Sequence, residues 1–157
     1  RMELGYVHEE VMASIHARSR DNGRTPMQWT AGENAGFTTG TPWMPVNPNY
    51  RGINVEAALA DPDSVFHYYR KLIQLRKTYD VFHKGTFTLL CPEDEKIFAY
   101  TRDTEQEHIL VVCNFTDETL TFDVPSNFWG TEMLINNYAE DSHRLRPYEA
   151  VILYYHD

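Results

Sequence analysis

Cysteine is scarce: Cys91 and Cys113 are the only two in 157 residues, too few for a disulfide scaffold. Positive charge is short as well, with 14 Lys+Arg against 23 Asp+Glu and a formal net charge of -9. Nucleic acid and anionic membranes are gripped through Lys and Arg, so neither is expected as a partner. Apolar runs such as Ile109-Leu110-Val111-Val112-Cys113 fall far short of the ~20 residues of a membrane helix. No positively charged start leads into an apolar core, so no signal peptide is read and a cytoplasmic location is expected. Internal repeats and low-complexity stretches are missing too.

The usual short motifs of chemistry are equally absent. No glycines are spaced as G-x-x-x-x-G-K or G-x-G-x-x-G, so no nucleotide cofactor is expected. There is no G-x-S-x-G elbow for a nucleophilic serine. His8, His16, His67, His83, His108, His143 and His156 never fall four apart or beside a cysteine at a zinc-site interval, so no metal is expected. Glu93, Asp94 and Glu95, and the acidic stretch 103–107, read as solvated turns. A glycosidase holds two carboxyl groups roughly 5 to 10 Å apart across a sugar, and nothing in the pattern picks out such a pair. Asn114-Phe115-Thr116 fits the glycosylation pattern, which is read as coincidence without a secretory signal.

What is present changes character along the chain. Val7, Val11, Met12 and Ile15 carry a helical spacing, with Glu9 and Glu10 turned away. From Ser19 to Asn54 no period persists, and glycine and proline recur. Met27, Trp29, Phe37, Trp43 and Tyr50 nevertheless give this stretch apolar groups to bury, unlike a flexible linker. It is read as an ordered loop resting on a larger body, with Trp29, Trp43 and Tyr50 as packing residues. Asn54 is placed to cap a short helix. Asp61, Pro62 and Asp63 are read as the start of a stronger one over about 62 to 78, with Lys71, Arg76 and Lys77 toward its end. After Tyr79 the period becomes two, and six or so short strands between turn signals suggest an antiparallel β-sandwich. Leu120, Phe122 and Val124 are expected to form one of them. The chain is therefore divided into 1–78 and 79–157.

The densest polar segment is Ser19-Arg20-Asp21-Asn22-Gly23-Arg24-Thr25-Pro26-Met27-Gln28-Trp29. Its fork-shaped donors and paired acceptors suit either a hydroxyl-rich or anionic ligand, or a loop braced by its own charges.

This segment resembles the S-R-D-N-x-R-T-P-M-Q-W signature of the α-glucosidase branch of the α-amylase superfamily, glycoside hydrolase family 13. That branch includes oligo-1,6-glucosidases, dextran glucosidases, trehalose-6-phosphate hydrolases and sucrose isomerases. The likeness continues in order through Asn34-Ala-Gly-Phe-Thr38, Pro42-Trp43, Val46-Asn-Pro-Asn-Tyr50 and Ile53-Asn-Val55. It resumes at Asp63-Ser-Val-Phe66, Lys71-Leu-Ile73, Leu75-Arg-Lys77, Ile97-Phe-Ala-Tyr100 and Asn114-Phe115, and ends at Leu145-Arg-Pro-Tyr-Glu-Ala150.

The resemblance implies an α+β segment. It would comprise the last loop and helix of a (β/α)8 barrel followed by an antiparallel β-sandwich domain. The family's F-R-x-D, acid/base Glu and N-H-D segments have no match here, so no catalytic carboxylate is assigned and the 157 residues alone are expected to be inactive. Arg20 matches the Arg that hydrogen-bonds the 4-hydroxyl of the terminal glucose, while Asp21, Asn22 and Arg24 are assigned to bracing the loop. The implied partner is a small oligosaccharide, cut with retention by an exo-acting α-glucosidase of oligo-1,6-glucosidase type. The alternatives are a trehalose-6-phosphate hydrolase and a non-catalytic stabilising or carbohydrate-binding β-domain. Inward alternation of Phe122 speaks against the last, and no binding of isomaltose by these 157 residues is expected. Met27, Trp29, Phe37 and Trp43 are expected to be exposed, leaving residues 2–61 mobile, self-associating or swapping between chains.

Overall fold

The computed structural model describes residues 7–18, 20–139 and 144–157, apart from the side chain of Asn22. Helix α1 runs His8–Arg18, α2 Val55–Ala60, α3 Val65–Thr78 and α4 Val81–Lys84. The strands are β1 Thr86–Leu90, β2 Ile97–Asp103, β3 Glu107–Asn114, β4 Glu132–Asn136 and β5 Ala150–His156. The chain divides into two compact units, Arg1–Phe66 and His67–Asp157.

In the first unit the aperiodic loop is held by backbone hydrogen bonds. Three single 3-10 turns punctuate it, at Arg20–Gly23, Glu33–Gly36 and Pro48–Arg51. Asn34, Ala35 and Gly36 all have positive φ, at 49°, 56° and 67°. Such a left-handed run is costly for residues with a Cβ. It holds because Trp29 and Thr30 both donate their backbone N–H to the Ala35 carbonyl (2.8 and 3.0 Å). The Asn34 side chain adds bonds to the carbonyls of Thr38 and Gly40. Asn54 caps α2 as expected, its Oδ1 accepting from the Ala57 N–H at 2.8 Å.

The second unit is one antiparallel sheet of five strands in the order β1-β2-β3-β5-β4. The hairpin joining β1 to β2 is set by Asp94, whose Oδ1 accepts from the N–H groups of Lys96 and Ile97 (2.8 and 2.9 Å). Those two donors hold its carboxyl below the ordinary range. Period-two alternation along β3 sorts the core into two layers. Ile109 and Val111, with Ile152 and Tyr154 of β5, face Tyr68, Leu72 and Leu75 of α3 and Val81 of α4. Leu110 and Val112, with Ile97 and Ala99 of β2, face Phe128, Leu145, Leu120, Phe122 and Val124.

The structure departs from the sequence expectations in three places. The antiparallel β-domain is present, but among the described residues the second layer is not a regular sheet. Leu120 pairs with Leu145 through a single β-bridge, and the side chains of Phe122 and Val124 cover the sheet without a ladder. The strong helix starts at Val65 rather than near 62 because Asp61 organises a turn, its Oδ1 accepting from Asp63 and its carbonyl from Ser64. And α4, too short to show a period, was not foreseen.

Asn114 ends β3 nearly buried, at 3% exposure. Its Nδ2 donates to the carbonyls of Glu118 and Arg146, and its Oδ1 accepts from the Thr116 N–H and hydroxyl, all at 2.8 to 2.9 Å. In the fold its amide has no room for a glycan. Close by, Glu149 is also 3% exposed and accepts from the Arg146 guanidinium, the Arg146 N–H and Asn136. Burial pushes its carboxyl up, but those donors together outweigh burial and hold it below the ordinary range.

Candidate functional site

Three places gather groups able to do chemistry: the Arg20 loop, the surroundings of His108, and the surfaces bearing exposed aromatic rings.

The loop beginning at Arg20 is anchored at its far end. Gln28 donates its side-chain amide to the Ile53 carbonyl. The Gln28 and Trp29 carbonyls receive the N–H groups of Val55 and Glu56 at 2.9 and 3.0 Å, which ties the loop to the start of α2. Pro26 is buried, and an open pocket of about 510 Å³ is lined by Thr25, Met27, Gln28, Ile53, Val55 and Phe66. Upstream of this anchor, Arg20 lies exposed on the first 3-10 turn. Among the described residues its guanidinium forms no hydrogen bond or ion pair, so its planar fork of donors is open to a ligand.

Asp21 and Arg24 sit one turn apart. The Arg24 N–H donates to the Asp21 carbonyl at 3.0 Å, and the side chains face each other at 3.8 Å with both well exposed. A pair so wet contributes little stability. Asn22, the remaining residue of the expected bracing set, has its side chain outside the described residues.

Beside the open end of the sheet, His108 lies between two carboxylates. Its Nδ1 is hydrogen-bonded to Asp103 at 2.9 Å, its Nε2 lies 3.3 Å from Asp157 without forming a hydrogen bond, and its ring stacks on Tyr155 with centroids 4.5 Å apart. The Thr101 hydroxyl donates to the second oxygen of Asp103. A nucleophilic triad would need a hydroxyl or thiol at Nε2, and a carboxylate stands there instead. The Asp103 bond and the Tyr155 stack tie β3 to β2 and to β5. Among the described residues no cluster of His, Cys, Asp or Glu could hold a metal ion.

The aromatic residues divide by unit. Met27, Trp29 and Phe37 are about half exposed, and Trp43 reaches 91%. Trp43 therefore packs on nothing within the described chain, and Tyr50 carries the Arg51 guanidinium over its ring. In the second unit Tyr100, Phe122 and Tyr155 turn into the two core layers, while Phe98 and Phe115 remain exposed. Trp129, which the sequence reading did not single out, is 72% exposed. Gln28 and Asn54, the residues that fix the Arg20 loop at its base, carried only the signals of a motif position and a helix cap.

Two family models cover nearly the whole chain. Residues 2–85 match the α-amylase catalytic domain, and residues 87–152 match the maltogenic amylase C-terminal domain. Among curated proteins the chain is similar to an oligo-1,6-glucosidase of Parageobacillus thermoglucosidasius, with 51% identity over 94% of this chain and 28% of that protein. It is also similar to a trehalose-6-phosphate hydrolase of Bacillus subtilis, with 46% identity over 96% of this chain and 28% of that protein. Among solved structures, a trehalose-6-phosphate hydrolase of Bacillus licheniformis superposes with a TM-score of 0.88 at 39% identity, covering 99% of this chain and 30% of that one. An isomaltulose synthase of a Klebsiella species superposes equally well, at 0.88 and 36% identity, over 98% and 29% of the two chains. The chain thus spans under a third of the length of the relatives it matches.

Proposed function

This chain belongs to the α-amylase family, and from that premise we propose that it is the C-terminal part of a retaining, exo-acting α-glucosidase of oligo-1,6-glucosidase type. The whole enzyme would release glucose from the non-reducing ends of short α-1,6 and α-1,4 glucosides, and would work in the cytoplasm. The carrying observation is the S-R-D-N-G-R-T-P-M-Q-W segment, placed so that Arg20 stands free on an anchored loop within a chain 51% identical to an oligo-1,6-glucosidase.

In this reading Arg20 supplies N–H donors to the 4-hydroxyl of the terminal glucose. A charged fork there closes the pocket beyond the last sugar, which makes cleavage exo, and fixes the ring so that the anomeric carbon faces the nucleophile. Asp21, Asn22 and Arg24 keep the turn in shape, and the straps at Gln28 and Trp29 set its height. The carboxylates that cut the bond lie in the part of the polypeptide preceding this segment, so the 157 residues hydrolyse nothing alone. The net charge of -9 disfavours a nucleic-acid partner, and no described helix is long and apolar enough to cross a membrane.

A trehalose-6-phosphate hydrolase is the second reading, favoured by the Bacillus subtilis relative. The first is preferred because the oligo-1,6-glucosidase relative is the more similar of the two, at 51% identity against 46%. The two part on substrate. The full-length enzyme should hydrolyse isomaltose faster than trehalose 6-phosphate, and the reverse order would favour the second. Arg20→Ala in that enzyme should lower kcat/KM by about 2 to 5 kcal/mol, as loss of a buried charged hydrogen bond does. An unchanged kcat/KM would remove Arg20 from the site.

A further inference from the structure

On the sheet face away from α3, the short 3-10 turn Ser126–Phe128 splits two adjacent aromatic residues. Phe128 is buried and meets the Tyr155 ring edge-on, with centroids 5.1 Å apart. Trp129 points out, and Gly130, at φ +69°, then swings the chain into β4. The exposed indole is held in place, because its Nε1 donates to the Val124 carbonyl at 2.8 Å. One edge is therefore committed while most of the ring surface is bare. Beneath and beside it runs a groove of about 800 Å³, with Phe122 and Met133 on its floor and Thr121, Asp123 and Thr131 at its rim. Thr131 donates to the Phe128 carbonyl and keeps its oxygen free to accept. The Thr121 hydroxyl and Asp123 carboxylate form no hydrogen bond with described residues.

A fixed aromatic face with hydroxyl and carboxylate groups at its edge is the complement of a pyranose, which has an apolar C–H face and a belt of hydroxyls. Carboxylates accept from sugar hydroxyls with charge-assisted strength. The groove contains no Lys or Arg, and the chain is strongly acidic, which turns away phosphorylated or anionic polymers. We propose that Trp129, Asp123 and Thr121 form a second carbohydrate site in the β-domain, for neutral α-linked glucans longer than a disaccharide. Its identification with glucose polymers rests on the proposed function, whereas its geometry does not. Such a site would hold a long substrate without touching the bond to be cut.

The test is native electrophoresis of the full 157-residue chain through gels containing dextran, soluble starch or, separately, anionic heparin. Retardation is expected in the glucan gels and not in heparin. Trp129→Ala should weaken glucan affinity about tenfold or more, as loss of a central aromatic anchor does. Asp123→Asn, at an exposed side chain, should weaken it to a smaller extent and covers the case in which the tryptophan variant misfolds. Phe115→Ala, at an exposed ring outside the groove, should change nothing in this assay. An unretarded wild-type chain, retardation in heparin that Trp129→Ala removes, or glucan retardation that survives both groove variants would each overturn the site. Loss of retardation in Phe115→Ala would do the same, by showing that any exposed ring of the unit suffices. Failure of the full-length enzyme on isomaltose would overturn the proposed function and leave a retarded chain standing, so the two failures are told apart.

Discussion

The loop unit and the sheet unit are ordered by different means. In residues 67–157 the chain closes two hydrophobic layers around its own strands, and Ile109, Leu110, Val112 and Phe128 are almost wholly buried. In residues 7–66 order comes from backbone straps, helix caps and left-handed turns, while Met12, Ile15, Met27, Trp29, Phe37 and Trp43 stay exposed. Hydrogen bonds fix the path of a chain, but each contributes little net stability. Burial of apolar surface is what makes a unit resist opening. The first unit therefore has a defined shape and little to defend it, as befits a segment finished by another surface in the proposed enzyme.

The sharpest way to break this comparison is a pair of aromatic truncations. Phe128→Ala should cost about 3 to 5 kcal/mol in denaturant unfolding of the chain, as other buried Phe truncations do. Trp43→Ala, in the other unit, should stay within about 0.5 kcal/mol. Equal losses would mean that Trp43 is covered in solution and that the two units are not unlike. Limited proteolysis sharpens the same point with a smaller effect: cleavage within 19–60 should outpace cleavage within 80–157 by about tenfold or more, since local opening is easiest where few apolar groups are buried. Comparable rates in both stretches would contradict the contrast.

The smallest effect is in pH. Glu149 has its carboxyl held below the ordinary range in the folded chain. Its contribution is thus complete above the unfolded Glu value of about 4.3, and is lost as pH falls from there through the lower folded value. The second unit should lose stability over that acid window, read as the urea midpoint at successive pH values. Glu149→Gln should flatten the slope there, and an unaltered slope would show that another carboxylate dominates.

Much of the sheet unit was legible in sequence because burial writes itself as a period. The alternation of Leu120, Phe122 and Val124 correctly gave their inward side. It could not reveal that they lack a ladder, since period two records which face is buried and not who pairs alongside. Helix α3 was legible in its body and blurred at its start, where Asp61 serves a turn as readily as a cap. Helix α4 has four residues, fewer than any helical period needs. In the loop, Asn54 was readable as a cap, whereas nothing about Ala35 suggests a positive φ. That conformation is imposed by Trp29 and Thr30 converging on its carbonyl. Of the candidate site, Arg20 was found through a family signature rather than through spacing. Trp129 went unnoticed because neighbouring aromatics look alike until one is seen to fill the core and the other to stand outside it.

Asn114 has a bearing on how the protein can be produced. All four of its side-chain bonds join the end of β3 to the turn at Thr116–Glu118 and the approach to β5, so the amide acts as the knot of that corner. A eukaryotic secretory host attaches sugars to Asn-Phe-Thr while the nascent chain is still unfolded, before the knot is tied. A glycosylated copy would enter folding with its corner blocked, and an unglycosylated one would hide the acceptor permanently. Expression routes that avoid glycosylation are therefore the ones compatible with this fold.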